Sequence, residues 1–129
     1  MNTFEDLKIK KPLKNAISDL RFEKPTPIQQ ESYSTILGGF DYVGIAQTGT
    51  GKTIAYLLPI LQDLKFSDQL NPRVLILAPT RELVIQIVSE IEKLTPYIHV
   101  RALGVYGGSN NINAQKRAIS EGQDIIVGT

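Results

Sequence analysis

The segment AQTGTGKT, residues 46–53, places glycines, a lysine and a threonine at the spacing of a phosphate-binding loop. In such a loop, glycines let backbone N–H groups turn inward around phosphate oxygens, the lysine reaches the β- and γ-phosphates, and the hydroxyl binds Mg²⁺. Ala46 departs from the pattern, because the first position is usually glycine. The structural alternative is a glycine-rich turn that only joins two elements.

The segments on either side of this loop favour phosphate binding. The apolar run YVGIA before it predicts a buried strand over residues 42–46, and the pattern after it predicts an amphipathic helix over 52–66. A helix that begins at such a loop directs its N-terminus, the positive end of its dipole, towards a bound anion. The sequence therefore predicts a nucleotide-phosphate site.

The alternation of apolar runs with helical patterns indicates the fold class. Further helices are expected over residues 12–20, 27–37, 81–94 and 111–120, and further strands over 73–78, 100–106 and 124–128. Strands separated by helices form parallel sheets with helices on both faces. We therefore expect an α/β protein with one structural domain.

The composition limits the class of protein but does not identify its ligand. The chain has 129 residues, and its 14 basic and 13 acidic residues give a net charge of +1, which predicts neither a nucleic acid nor a membrane surface as partner. The absence of cysteine fits a reducing compartment. The N-terminus lacks the apolar region of a signal peptide, and no apolar run reaches the ~18 residues of a membrane span. A cytoplasmic location is expected.

Three other segments have plain structural interpretations when each is taken alone. In FEKPTPIQ, Thr26 and Gln29 form a capping box, so that Gln29 is read more readily as a helix cap than as a ligand. In PTREL, Thr80 caps a helix and Arg81 is a surface cation. The glycine pair that follows Tyr106 is a tight turn.

Taken together, these segments carry a specific resemblance. Phe4, FEKPTPIQ, AQTGTGKT, PTREL, the glycine pair and the closing IIVGT occur in one order and at one set of spacings. The chain resembles the first RecA-like domain of DEAD-box RNA helicases over essentially its whole length. The resemblance implies a Q-motif region with two helices over residues 1–40, followed by part of the P-loop RecA-like domain over 41–129.

The resemblance also implies a site for ATP and Mg²⁺. Phe22 would stack on adenine, Gln29 would hydrogen-bond the edge of the base, and Phe4 matches the family's isolated upstream aromatic residue. Lys52 and Thr53 would be the catalytic residues, with Lys52 bound to the β- and γ-phosphates and Thr53 as the Mg²⁺ ligand. The complete phosphate-binding set would be Gln47, Thr48, Gly49, Thr50, Gly51, Lys52 and Thr53. Arg21 departs from the family, which usually has glycine before Phe22, and Ile45 stands where glycine or alanine is commoner.

An RNA partner is implied by the same resemblance. The backbone of RNA would run along Pro79, Thr80, Arg81, Glu82, Gly107, Gly108 and Thr129. Contacts to phosphates position a strand without reading its sequence. DNA is disfavoured by the resemblance alone.

The sequence lacks part of what ATP hydrolysis needs. Hydrolysis requires an acidic residue that orders Mg²⁺ at a strand end, yet none of the four apolar runs ends in Asp or Glu, and Asp124 precedes its strand. The DEAD tetrapeptide and a second RecA-like domain are absent from the sequence. We therefore expect an N-terminal part of an ATP-dependent RNA helicase that binds nucleotide without hydrolysing it. The alternatives are a non-catalytic nucleotide-binding or interaction domain and, more weakly, a P-loop kinase.

Overall fold

The computed structural model describes residues 3–47, 49, 51–108 and 112–129. A short 3-10 helix, Phe4–Leu7, precedes five α-helices and three β-strands. In chain order these are α1 (Lys11–Asp19), α2 (Pro27–Leu37), α3 (Lys52–Asp63), β1 (Val74–Leu77), α4 (Arg81–Leu94), β2 (Ala102–Val105), α5 (Ile112–Ser120) and β3 (Ile125–Gly128). The five predicted helices and three of the four predicted strands are confirmed. Residue 111, the predicted first residue of α5, lies outside the described residues.

The three strands form one parallel sheet in the order β1-β3-β2. Leu77 at the end of β1 and Val105 at the end of β2 both align with Gly128 of the central strand. The carboxyl ends of the strands therefore lie along one edge of the sheet. The parallel α/β class predicted from the sequence is confirmed.

The chain groups into two compact units. Unit 1 comprises Met1–Lys65 with Lys93–Ile98, and unit 2 comprises Phe66–Glu92 with His99–Thr129. The apolar core of unit 1 includes Leu13 of α1 and the stripe Leu57, Leu58 and Leu61 of α3, all with no exposed surface. The core of unit 2 includes Val84 of α4 and both Ile125 and Val127 of the central strand. Burial of these side chains is the main source of stability in each unit.

Helix α3 ends earlier than the sequence predicts. The apolar pattern suggested a helix to residue 66, but α3 ends at Asp63 and Leu64 turns to an extended backbone. Leu64 stays buried after leaving the helix, so its apolar character reflects the core of unit 1 and not helical periodicity. Pro59 lies within the helix and is buried.

The prediction of a buried strand over residues 42–46 was wrong. This segment has no strand structure, and the side chains of Val43 and Ile45 are 87% and 93% exposed. A β-branched apolar run favours a strand only where neighbouring strands and a covering layer are available. Within the described residues the sheet contains β1, β2 and β3 alone. The candidate phosphate-binding loop therefore follows a largely exposed segment without regular secondary structure.

Candidate functional site

The candidate phosphate-binding loop leads directly into the N-terminus of α3. Gly49 and Gly51 have φ values of 82° and 83°, in the left-handed region that glycine adopts without strain. Gly51 is the N-cap of α3, and Lys52, exposed to solvent, is its first residue. The first backbone N–H groups of a helix have no partner within it, so this terminus is suited to an anion. Thr48 and Thr50 lie outside the described residues.

Gln29 joins the helix cap of α2 to this loop. Its side chain is buried, with 5% of its surface exposed. Gln29 Oε1 accepts a hydrogen bond from the backbone N–H of Thr26 at 3.0 Å, and Gln29 Nε2 donates to the carbonyl oxygen of Gly51 at 3.2 Å. The capping interpretation of Gln29 is thus confirmed, and the same side chain also contacts the phosphate-binding loop.

The packing around Gly51 leaves no space for a side chain. A Cβ atom on Gly51 would collide with Gln29 Nε2 and lie 3.0 Å from Thr26 Oγ1. Thr26 Oγ1 is buried and has no hydrogen-bond partner among the described residues. A buried hydroxyl without a partner costs free energy. The loop and the start of α2 therefore form a tight junction that holds an unpaired polar group.

Thr53, the candidate Mg²⁺ ligand, lies one residue inside α3. Burial raises the pKa of Tyr56, one turn further along, and a hydrogen bond with the Thr53 side chain opposes this rise. No group of three or more His, Asp or Glu side chains in the described ranges is arranged to hold a metal ion. The residues present therefore offer Mg²⁺ one hydroxyl beside a phosphate-binding loop, which suits an ion that arrives with its nucleotide.

The two candidate aromatic residues line one cavity in unit 1. Phe4 is buried, whereas Phe22 is 41% exposed, and both border a cavity of about 320 Å³ together with Lys14 and Glu23. Of the two rings, Phe22 is the one with a surface available to a base. Arg21, directly before it, has a φ of 61°, which explains why glycine suits this position.

The second group of candidate residues lies at the carboxyl edge of the sheet. Residues 79–82 follow β1, Gly107 and Gly108 follow β2, and Thr129 follows β3, and all of them are exposed. The parallel register brings these three segments to the same edge. Thr80 Oγ1 accepts from the backbone N–H of Leu83 at 3.1 Å, so the predicted cap of α4 is confirmed. Gly108 turns with a φ of 75°.

Arg81 at this edge is held between two neighbours. Its Nε lies 4.0 Å from an oxygen of Glu82, and its guanidinium carbon lies 5.9 Å from the centre of the Tyr106 ring. The backbone of Tyr106 is in turn bound by the Gln115 side chain of α5. The amino-acid sequence predicted no functional role for Tyr106 or Gln115. The position of Tyr106 before the glycine pair is the sequence feature that could have identified it. No local sequence pattern distinguishes Gln115.

The opposite edge of the sheet carries a buried ion cluster. Asp124, 1% exposed, accepts from Arg73 at 2.9 Å and from the backbone N–H of Arg101 at 2.9 Å. Burial opposes the ionisation of Asp124, but hydrogen bonds from Arg101 and Arg73 overcome it and lower the pKa of the carboxyl to about 2. Arg101 also donates to the carbonyl oxygen of Gln69 at 2.7 Å. As its place before the strand predicted, Asp124 lies at the edge of the sheet opposite the candidate RNA-contact residues and ties strand beginnings together.

No helix in the part of the chain that the structure describes is long and apolar enough to cross a membrane.

Residues 26–129 match the family model for the DEAD/DEAH box helicase. Among curated proteins, the chain is 43% identical over 128 residues to the ATP-dependent RNA helicase DeaD of Escherichia coli, covering 98% of this chain and 20% of that protein. It is 41% identical over 129 residues to the ATP-dependent RNA helicase CshA of Listeria monocytogenes, covering 24% of that protein.

A solved structure agrees with these sequence matches. The crystal structure of a DEAD box protein from the hyperthermophile Methanococcus jannaschii superposes with a TM-score of 0.89 and 34% sequence identity. The match covers 100% of this chain and 35% of that one. The chain thus spans about a fifth to a quarter of the length of the curated relatives it matches.

Proposed function

Because this chain belongs to the DEAD/DEAH box helicase family, we propose that its unit 1 binds adenine nucleotides and that its unit 2 contributes part of an RNA-backbone site. The fold is α/β and corresponds to part of a RecA-like domain. The bond between Gln29 Nε2 and the Gly51 carbonyl oxygen carries the nucleotide proposal, because it joins the base-reading segment to the phosphate loop.

The phosphate roles follow from the geometry of the loop and the helix that it begins. Gly49 and Gly51 have the left-handed backbone that lets a glycine loop turn N–H groups towards an anion, and Lys52 and Thr53 stand in the first turn of α3. We assign phosphate binding to Gln47, Thr48, Gly49, Thr50, Gly51, Lys52 and Thr53. Lys52 would contact the β- and γ-phosphates and Thr53 the accompanying Mg²⁺. When bound, Mg²⁺ neutralises negative charge on the phosphate oxygens.

The base would be read by residues of the Q-motif segment. Phe22 offers an exposed ring for stacking. Gln29 Oε1 and Nε2 each form one hydrogen bond within the protein, but the oxygen can accept a second and the NH₂ can donate a second. Gln29 can therefore accept from the exocyclic amine of adenine and donate to a ring nitrogen while it keeps its contacts. Guanine carries a carbonyl in place of that amine, so it would set two acceptors against each other.

The RNA proposal rests on the carboxyl edge of the sheet. Ligands of open α/β sheets bind beyond the carboxyl ends of the strands, where this chain exposes the segments that follow β1, β2 and β3. The proposed contacts are Pro79, Thr80, Arg81, Glu82, Gly107, Gly108 and Thr129. Backbone amides, a helix N-terminus and one guanidinium suit phosphates and carry no base recognition.

The activity of the whole protein is proposed from its relatives. Proteins four to five times as long as this chain carry the name ATP-dependent RNA helicase. We propose that the present residues work with a second RecA-like domain and with an acidic Mg²⁺-ordering residue that this sequence lacks. The proposed organisation is a Q-motif region over 1–40 followed by part of a RecA-like domain over 41–129.

Isothermal titration with ATP, ADP, GTP and GDP in the presence of Mg²⁺ tests the nucleotide proposal. Adenine nucleotides should bind, and Lys52→Ala should weaken binding without loss of helical circular dichroism. Phosphate release by the unmodified chain should not exceed that of Lys52→Ala. If none of the four nucleotides binds the folded chain, the nucleotide proposal is overturned and an interaction domain is favoured.

A further inference from the structure

We propose that Tyr106 and Gln115 are positioning residues of the RNA-backbone site, acting through Arg81 and the glycine pair. The inference rests on the proposed function of this edge of the sheet. Gln115 fixes the peptide of Tyr106, and the Tyr106 ring orients the Arg81 guanidinium that lies against it. Neither residue needs to contact RNA for this role.

The first step is the attachment of Tyr106 to α5. The Tyr106 N–H donates to Gln115 Oε1 at 3.2 Å, and Gln115 Nε2 donates to the Tyr106 carbonyl oxygen at 3.3 Å. Tyr106 follows β2, which lies at the edge of the sheet formed by the described residues, so the side-chain amide supplies the pairing that another strand would otherwise provide. Both backbone polar groups of one residue are thus tied to one rigid helix.

The second step is the position of this attachment in the chain. Tyr106 immediately precedes Gly107 and Gly108, which have no side chains to restrict their backbone. A Cβ on either glycine would meet no atom within 4 Å among the described residues, so packing does not hold the turn. The constraint on the direction in which the turn leaves the sheet therefore comes from Tyr106.

The third step is the contact between the Tyr106 ring and Arg81. The guanidinium carbon lies 5.9 Å from the ring centre, within the range of a cation–π interaction. A ring orients the cation without occupying the N–H groups that would donate to a phosphate. The carboxylate of Glu82 lies 4.0 Å from Arg81 Nε and is 79% exposed, so water and salt weaken its competing attraction.

A double-mutant cycle separates this role from a general effect on folding. Fluorescence anisotropy with labelled oligouridylate at low salt should show roughly two- to fivefold weaker binding for Tyr106→Leu. Tyr106→Phe retains the ring and should bind within about 1.5-fold of the unmodified chain. In an Arg81→Gln background, Tyr106→Leu should have almost no further effect, because the two residues act through one contact.

The Gln115 contact has a matched control in the same unit. Gln115→Met removes both amide bonds to Tyr106 and should weaken oligouridylate binding. Gln123→Met removes a comparable bond, from Gln123 Nε2 to the Ala118 carbonyl oxygen at 3.0 Å, and should leave binding unchanged. Equal losses of affinity in the two variants would overturn the role of Gln115.

The geometry is also testable without RNA. In nuclear magnetic resonance spectra, the Nε–H proton of Arg81 should carry an upfield ring-current shift that Tyr106→Phe keeps and Tyr106→Leu abolishes. An unchanged resonance in Tyr106→Leu, or additive effects of Tyr106 and Arg81 substitutions on RNA affinity, would overturn this inference alone. Absence of RNA binding by the folded, unmodified chain at low salt would overturn the RNA-site proposal and this inference with it.

Discussion

Gln29 donates from Nε2 to the carbonyl oxygen of Gly51 at 3.2 Å, across 22 positions of sequence. The donor belongs to the first turn of α2 and the acceptor is the N-cap residue of α3. One buried amide therefore connects the segment proposed to read the base with the loop proposed to hold the phosphates. A change at either residue is expected to affect both functions.

Substitution of Gln29 by Glu tests this connection. The carboxylate keeps an acceptor for the Thr26 N–H but loses the donor to Gly51, and it would face the adenine ring nitrogen. A mispaired buried polar contact costs about 1–3 kcal/mol. We expect the unmodified chain to prefer ATP over GTP roughly ten- to a hundredfold, and Gln29→Glu to lose this preference with α2 intact. Calorimetric titration and circular dichroism measure the two effects, and equal affinities in the unmodified chain would reduce Gln29 to a helix cap.

Substitution of Gly51 by Ala should abolish nucleotide binding, because the new side chain adds a collision with neighbouring side chains to the strain of a left-handed backbone. Gly51 and Gly39 have φ values of 83° and 85°, so Ala costs about 1–2 kcal/mol at either position. A Cβ on Gly51 also meets Gln29 and Thr26, whereas one on Gly39 meets no atom within 4 Å among the described residues. Thermal unfolding and ATP titration of Gly51→Ala and Gly39→Ala separate the cost of backbone strain from the effect of the collision with Gln29 and Thr26. Retained ATP binding in Gly51→Ala would contradict the tight junction.

The carboxyl of Asp124 predicts an acid-sensitive component of stability. Its pKa falls from 3.8 to about 2 on folding, because hydrogen bonds from the arginines outweigh burial. A lowered folded-state pKa stabilises the protein above the unfolded value, so this contribution is present above about pH 4 and lost as the pH falls to about 2. Its size is about 1–2 kcal/mol after screening by solvent.

Urea unfolding of the unmodified chain and Asp124→Asn across this pH range isolates that contribution. The difference in unfolding free energy between the two proteins should be largest near neutral pH and should shrink below about pH 4. A difference for Asp124→Asn that stays constant with pH would contradict the assignment.

The left-handed backbone at Arg21 predicts that glycine stabilises the protein relative to alanine at this position. Its φ of 61° costs a side-chain-bearing residue about 1–2 kcal/mol, whereas glycine in the unfolded chain loses about 0.5–1 kcal/mol more entropy on folding. Arg21→Gly should therefore be more stable than Arg21→Ala by up to about 1 kcal/mol, since both variants lack the arginine side chain. The midpoints of thermal unfolding compare the two. A less stable Arg21→Gly would show that the backbone strain is relieved elsewhere.

Structural features that depend on neighbouring residues could be predicted from the amino-acid sequence. The bounds of α4, Arg81–Leu94, agree with its periodic apolar residues and its Thr80 cap, and α2 begins at Pro27 after its predicted Thr26 cap position. The left-handed backbone at Gly49 and Gly51 follows from the glycines of the loop. Helices, caps and glycine turns form from groups a few residues apart, so a local pattern contains their physical cause.

The contacts between groups far apart in the sequence could not be predicted and were revealed by the folded structure. The order β1-β3-β2, the bond between Gln29 and Gly51 and the hold of Gln115 on Tyr106 have no local pattern that identifies the partners. The exposure of Val43 and Ile45 has the same origin, because an apolar run becomes a strand only where a sheet edge accepts it. Strand pairing and buried side-chain bonds depend on contacts between segments far apart in the chain, and those contacts exist only in the folded molecule.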